Sequence, residues 1–145
     1  MQRITIMLLM LTLSASISVS APALKDLKRE RDSTRILGHW KLESLSLHGG
    51  QPDDGQGTTF RFSKDGSCGI TNGSTENGAK YTLDASTTPA RMKWLNGPQL
   101  TEWLCLYELE GDNLKIAFVD PNTEAPKKIE PTKNLTIYYL TRHKN

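Results

Sequence analysis

WLCLYELEGDNLKIAF, Trp103 to Phe118, decides how the chain folds. Before the centre, Trp103, Cys105, Tyr107 and Leu109 share one parity, and Leu104 and Leu106 take the other. After it, Leu114, Ile116 and Phe118 alternate with Lys115 and Ala117. A period of two is the signature of a strand with unequal faces. Between the halves, Glu110, Gly111, Asp112 and Asn113 are residues that accept chain reversal and left-handed backbone angles. The segment therefore predicts a β-hairpin.

Working outward, the same logic recurs. His39–Leu47 reads as a first strand in which Trp40 and Leu42 share a parity and Leu45 and Leu47 take the other, so a bulge or bend is expected near Ser44. Thr58–Ser63 carries Phe60 and Phe62 on one face, and Lys64-Asp65-Gly66 turns the chain into Ser67–Thr71. Residues 72–78 read as a turn region. Lys80–Asp84 and Arg91–Leu95 are the next strands, with Tyr81 and Leu83 on the first and Met92 and Trp94 on the second. Beyond the hairpin, Asp120–Pro131 reads as a long proline-containing loop, and Asn134–Arg142 as the closing strand. Short turns force antiparallel neighbours. A meander of eight strands avoids open edges best by closing. The expected fold is all-β, an eight-stranded antiparallel up-and-down β-barrel. A sandwich is the alternative, and it requires long crossings between sheets.

Leu24–Leu37 is the one helix expected, a short N-terminal one without proline or glycine, with Leu24, Leu27 and Ile36 facing inward. Ahead of it, a positive end at Arg3, an apolar stretch over Ile4–Leu13 and small residues ending in Ala21-Pro22-Ala23 have the order of a secretory signal peptide. Residues 1–23 are accordingly read as a leader, and residues 24–145 as one barrel domain of an exported protein, periplasmic or extracellular. The apolar stretch is too short for a membrane span.

The chain has 145 residues, with 18 Lys+Arg against 16 Asp+Glu. That near balance argues against a nucleic-acid partner, because such binding draws its affinity from neutralised phosphates. Export permits a disulfide, and the two cysteines, Cys68 and Cys105, allow only one pairing within the chain. Two small hydrophobes buried in a sheet are the other reading.

Ile36-Leu37-Gly38-His39-Trp40-Lys41-Leu42 resembles the LxGTWxV opening of an uncharacterised lipocalin-like domain family found in exported proteins of planctomycete and related bacteria. FRFSKDGSC resembles that family's second hairpin, LYELEGDNLKIAF its IYELDGDTLKI block, and the terminal YYLTRHK its closing L-x-R strand. His39 stands where the family usually has threonine, and Cys105 where it often has glycine. The resemblance covers Leu24–Lys144 and implies a lipocalin-like barrel with a short N-terminal helix. It implies no activity, cofactor or metal.

Chemistry is sparse. His39, His48 and His143 have no metal-ligand spacing, no serine sits in a nucleophile elbow, and no glycine run forms a phosphate loop. We expect no catalytic residues, no metal and no cofactor. The residues that can line one inner surface are Trp40, Phe60, Phe62, Tyr81, Met92, Trp94 and Tyr107. They are either the wall of a cavity for a small apolar or amphipathic ligand or plain core. The expected function is ligand binding without catalysis. A structural or protein-interaction domain with a packed interior, using Trp103 or Tyr138 at its surface, is one alternative. A hydrolase or isomerase in the barrel mouth is the other.

Overall fold

The computed structural model describes residues 21–144, so the leader expected over residues 1–23 falls almost wholly outside the described residues. The hairpin forms as read. Strands β7 (Thr101–Glu110) and β8 (Asn113–Val119) pair from Cys105↔Phe118 to Glu110↔Asn113, and Gly111 turns between them with φ +57°. On one side they continue through β6 (Ala90–Asn96), β5 (Thr75–Asp84), β4 (Ser67–Asn72) and β3 (Thr59–Phe62) to β1 (Gly38–Ser46). On the other lies β9 (Leu135–Arg142), which pairs with both β8 and β1. The β1–β9 ladder closes the sheet into an eight-stranded antiparallel barrel. A ninth strand, β2 (Asp53–Asp54), is only two residues long and flanks β1 at Ser44 and Leu45. A Cβ on Gly55 would collide with the Leu42 carbonyl, so only glycine lets this small strand lie against β1.

β1 is the strand under most demand, because it must pair on both sides. Its register against β9 slips between Leu42 and Ser44, which places Glu43 in a bulge. Trp40 and Leu42 point inward before the slip and Leu45 after it, as the parity change in the sequence implied.

The strands enclose a core containing Trp40, Phe60, Phe62, Met92, Trp94, Tyr107, Leu114 and Ile116, all buried. A second core lies outside the barrel wall. Leu106, Ala117, Val119, Leu135 and Ile137, on the outer faces of β7, β8 and β9, pack with Ile129 of the connection between β8 and β9. This explains why both parities of β7 are apolar: a strand covered on both faces reads as a continuous hydrophobic run.

Two expectations are corrected. Residues Thr75–Gly78 are strand, not turn: β4 and β5 pair out to Asn72↔Thr75, and the reversal occupies only Gly73 and Ser74. The helix α1 runs Ala21–Arg35, and of the three residues expected to face inward Ile36, just past its end, is buried, whereas Leu24 is 57% and Leu27 60% exposed. The buried positions at its end are Asp32 and Ile36. With only two leucines on one side, helical periodicity did not fix the inward face; a polar contact did. The Tyr107 hydroxyl donates to Asp32 Oδ2 at 3.1 Å.

The C-terminal end of α1 is fastened by Arg142. Its guanidinium donates through Nη1 to the Leu37 carbonyl at 2.9 Å and through Nη2 to the Arg35 carbonyl, while Nε lies 3.2 Å from Asp112. It also stacks over the Trp40 ring, 4.3 Å from the centroid, and Trp40 Nε1 donates to the Ile36 carbonyl at 2.8 Å. Three successive carbonyls, two of them helix-end groups that would otherwise lack partners, are thus satisfied by side chains of β1 and β9. Gly38, at φ +110°, makes the joint between helix and strand possible. Arg142→Ala should lower unfolding stability by about 3 kcal/mol, since it removes several hydrogen bonds and a cation–π contact together. Arg142→Lys should recover less than half of that, because an ammonium cannot fork to two carbonyls. Urea denaturation of the three proteins measures both.

Candidate functional site

All seven residues read from the sequence as a candidate lining lie on the inner face of the barrel. Trp40, Phe60, Phe62, Met92, Trp94 and Tyr107 are at most 2% exposed and Tyr81 is 8% exposed. They are placed by strand parity, as β6 illustrates: Ala90, Met92 and Trp94 are buried while Arg91 and Lys93 are exposed.

Inside, the rings meet one another. Phe62 is 5.0 Å from Tyr81 and 6.2 Å from Trp94, both edge to face, and Phe60 is 6.4 Å from Trp94 and 5.9 Å from Tyr138. Trp94 reaches Phe118 at 5.7 Å, and Phe118 reaches Tyr138 at 5.1 Å. These are separations at which aromatic rings stabilise each other. Open clefts flank this cluster on both sides of α1. One of about 620 Å3 separates α1 from β5, lined by Glu30, Lys64, Tyr81 and Leu83. Another of about 500 Å3 lies beneath α1, lined by Arg31, Asp32, Tyr107 and Lys127. Neither is lined by Phe60, Phe62, Met92 or Trp94.

The two ends of the barrel differ. At the end where α1 lies, Ile36, Ala85, Ala90 and Tyr107 are buried. At the opposite end, Leu45, Ile70, Trp103, Phe118 and Tyr138 pack on the core while remaining partly exposed. None of these five was among the seven residues read as the lining. The signal was present in the pairing pattern. Trp103 sits directly opposite Trp94, Phe118 opposite Cys105, and Tyr138 opposite Ile116, so all share the inward parity. What the sequence lacked was depth along the barrel axis, which separates a rim residue from a floor residue.

Under the helix Tyr107 is paired with Asp32, and farther along the inner face the Tyr81 hydroxyl donates to the Ser63 carbonyl at 3.1 Å. Burial, and then the neighbouring Asp32 carboxylate, push the Tyr107 hydroxyl far above the usual phenol range. It therefore stays protonated and donates, which suits it to hold the helix and not to act as a base. The histidines His39, His48 and His143 are exposed on separate segments. Among the described residues no three His, Cys, Asp or Glu side chains cluster as metal ligands, and no helix is long and apolar enough to cross a membrane.

Cys68 and Cys105 are both buried and both free thiols. They lie on β4 and β7, with β5 and β6 between them along the sheet. Burial pushes Cys68 up to about 12 and Cys105 higher still, so neither thiol is ionised at neutral pH. No family model matches the chain, and no match is found among curated proteins.

Tyr107→Phe leaves the Asp32 carboxylate buried without its donor and should cost about 2 kcal/mol; adding Asp32→Asn should return part of it, measured by urea titration. At high pH, Cys68, Cys105, Tyr81 and Tyr107 keep their protons in the folded protein while the unfolded chain releases them. Their upward shifts contribute stability that is fully present below the unfolded values, about 8.5 to 10. It is lost as the pH rises from there toward the raised folded values, about 12 for Cys68 and Tyr81. The thermal midpoint should be level near neutrality and fall above about pH 9, less steeply in Cys68→Ala.

Proposed function

We propose that this protein is an exported, non-catalytic lipocalin-like barrel that holds one small apolar or amphipathic molecule at its open end. The observation that supports the reading is the rim: Leu45, Ile70, Trp103, Phe118 and Tyr138 converge around a floor containing Phe60 and Trp94, and each keeps part of its surface exposed. Partly exposed rings over a ring-packed floor offer an apolar guest two or three aromatic contacts without any of the core having to move. The Tyr138 hydroxyl and the inward-facing Thr136 supply polar handles on β9. In this reading Trp40, Met92 and Tyr107 are core residues that hold the floor in place, and the guest touches the rim.

The packed interior favours a second reading, in which the same rim docks on a protein surface. The two differ in what competes for Trp103. Titration with a hydrophobic fluorescent reporter should give saturable binding in the micromolar range, with quenching of tryptophan emission. Trp103→Ala should weaken it roughly tenfold, the loss of one good aromatic contact, while Leu100→Ala, a surface control outside the rim, leaves it unchanged. A reporter signal that rises without saturation, or that Trp103→Ala leaves intact, eliminates the small-molecule reading.

A further inference from the structure

β1 has β9 on one side from Trp40 to Ser46, but two different strands on the other. β3 faces Gly38–Lys41, and β2 faces Ser44 and Leu45. β2 thus takes the place in the wall that β3 leaves, at the end opposite α1. Directly opposed residues of an antiparallel pair project to the same face. Leu45 packs against the inner core, so Asp53, its partner on β2, projects to the inner side as well. Asp53 is exposed there, as is Asp54 beside it. An open cleft of about 580 Å3 joins the two aspartates to Leu45, Leu47, Thr58 and Asn72.

On its other side Leu45 stands opposite Tyr138 of β9. Asp53, Leu45 and Tyr138 therefore form one inward row across three strands, which spans about 10 Å at the usual strand spacing. Phe118, 5.1 Å from Tyr138, and Phe60, 5.9 Å from it, extend the apolar end of this row. A carboxylate, an aliphatic side chain and a group of rings thus follow one another along the wall.

The cations of the strands are placed elsewhere. Lys41, Arg61, Lys80, Arg91, Lys93 and Lys115 each stand between two buried neighbours and project outward. Arg142 lies at the α1 end, over Trp40. Among the described strands, no lysine or arginine projects inward at the end that carries Asp53. His48 is 3.6 Å from Asp120 and belongs to that pair.

We infer that the guest of this barrel is an amphipathic cation, with an ammonium group beside Asp53 and an apolar body lying over Leu45 onto Tyr138 and Phe118. The inference rests on the reading of this end as a guest site, and it adds the guest's charge and orientation. An acid of the same shape would meet Asp53 and Asp54 with no cation in the row to offset them. Asp53 keeps its water on one side, so the pairing is of the modest, salt-sensitive kind found at exposed positions.

Three diphenylhexatriene reporters test it. They share one apolar body and differ in charge: the neutral parent, its trimethylammonium derivative and its propionate. Each is titrated into the purified protein and followed by fluorescence. The trimethylammonium form should bind roughly fivefold tighter than the parent and the propionate roughly fivefold weaker, the size of one exposed ion pair. Added salt should shrink both differences. Asp53→Asn should bring the trimethylammonium form close to the parent, leave the parent's own affinity unchanged and keep the wild-type thermal midpoint. Asp53→Lys should reverse the order of the two charged reporters. Glu76→Gln removes an exposed carboxylate at the same end whose side chain points outward toward Arg61, and should alter none of the three affinities. Three equal affinities in the wild type, or a preference for the propionate, overturn the inference and leave the guest site standing. So does a cation preference that survives Asp53→Asn or that Glu76→Gln removes equally. If none of the reporters saturates, the guest site itself falls and this inference with it.

Discussion

Closure of the sheet at β1 is the constraint on which the rest of the structure depends, and Arg142 is the residue at which closure, helix and core meet. The β1–β9 ladder places Trp40 opposite Arg142. That single register position puts a guanidinium over an indole and, at the same time, within reach of the carbonyls that end α1. The helix is therefore attached to both strands of the closing pair and not to one face of a finished barrel. Its own sequence would hold it poorly, since its leucines are exposed and only its last turn enters the core. The link from Asp32 to Tyr107 adds a third strand to the attachment.

Closure also fixes what the interior can do. An eight-stranded barrel has an inside that side chains are able to fill or that one small guest can share. Here the inward positions of β3 and β6 are given to Phe60, Phe62 and Trp94, and these rings contact each other across the lumen. A domain of this size needs much of its apolar surface for stability. The chain meets the need twice, once inside the barrel and once under the connection between β8 and β9, where Ile129 covers Ala117 and Ile137. The outer core relieves none of the inner packing. It fixes the wall at β7–β9, the part of the barrel that contributes Trp103, Phe118 and Tyr138 to the end opposite α1.

How far the sequence could be read depended on whether a feature was local. The β7–β8 hairpin was legible because alternation and turn residues lie within one short stretch. The bulge in β1 was legible because a parity change between Leu42 and Leu45 has no other simple cause in a strand. The inward face of α1 was not, because it is settled by Tyr107, 75 residues away. The extension of β5 was missed for a related reason. Thr75, Glu76, Asn77 and Gly78 bury nothing, so their strand character comes wholly from backbone pairing with β4, which leaves no trace in hydropathy. For the candidate site, parity identified inward residues correctly, and the tier along the barrel axis was invisible, so core and rim could not be separated.

That distinction matters for function more than the fold does. A side chain enclosed on all sides, such as Met92 or Trp40, makes its contacts whether or not a guest is present, and a guest could reach it only by displacing them. A rim side chain has contacts on one side and water on the other. Covering that wet side with an apolar group removes surface from water at no cost in existing packing. Trp103 and Tyr138 are in that position, whereas the larger aromatic inventory of the chain is not. The aromatic residues enclosed in the core and those that keep part of their surface exposed at the end opposite α1 are therefore different residues, facing the same way from the wall of one barrel.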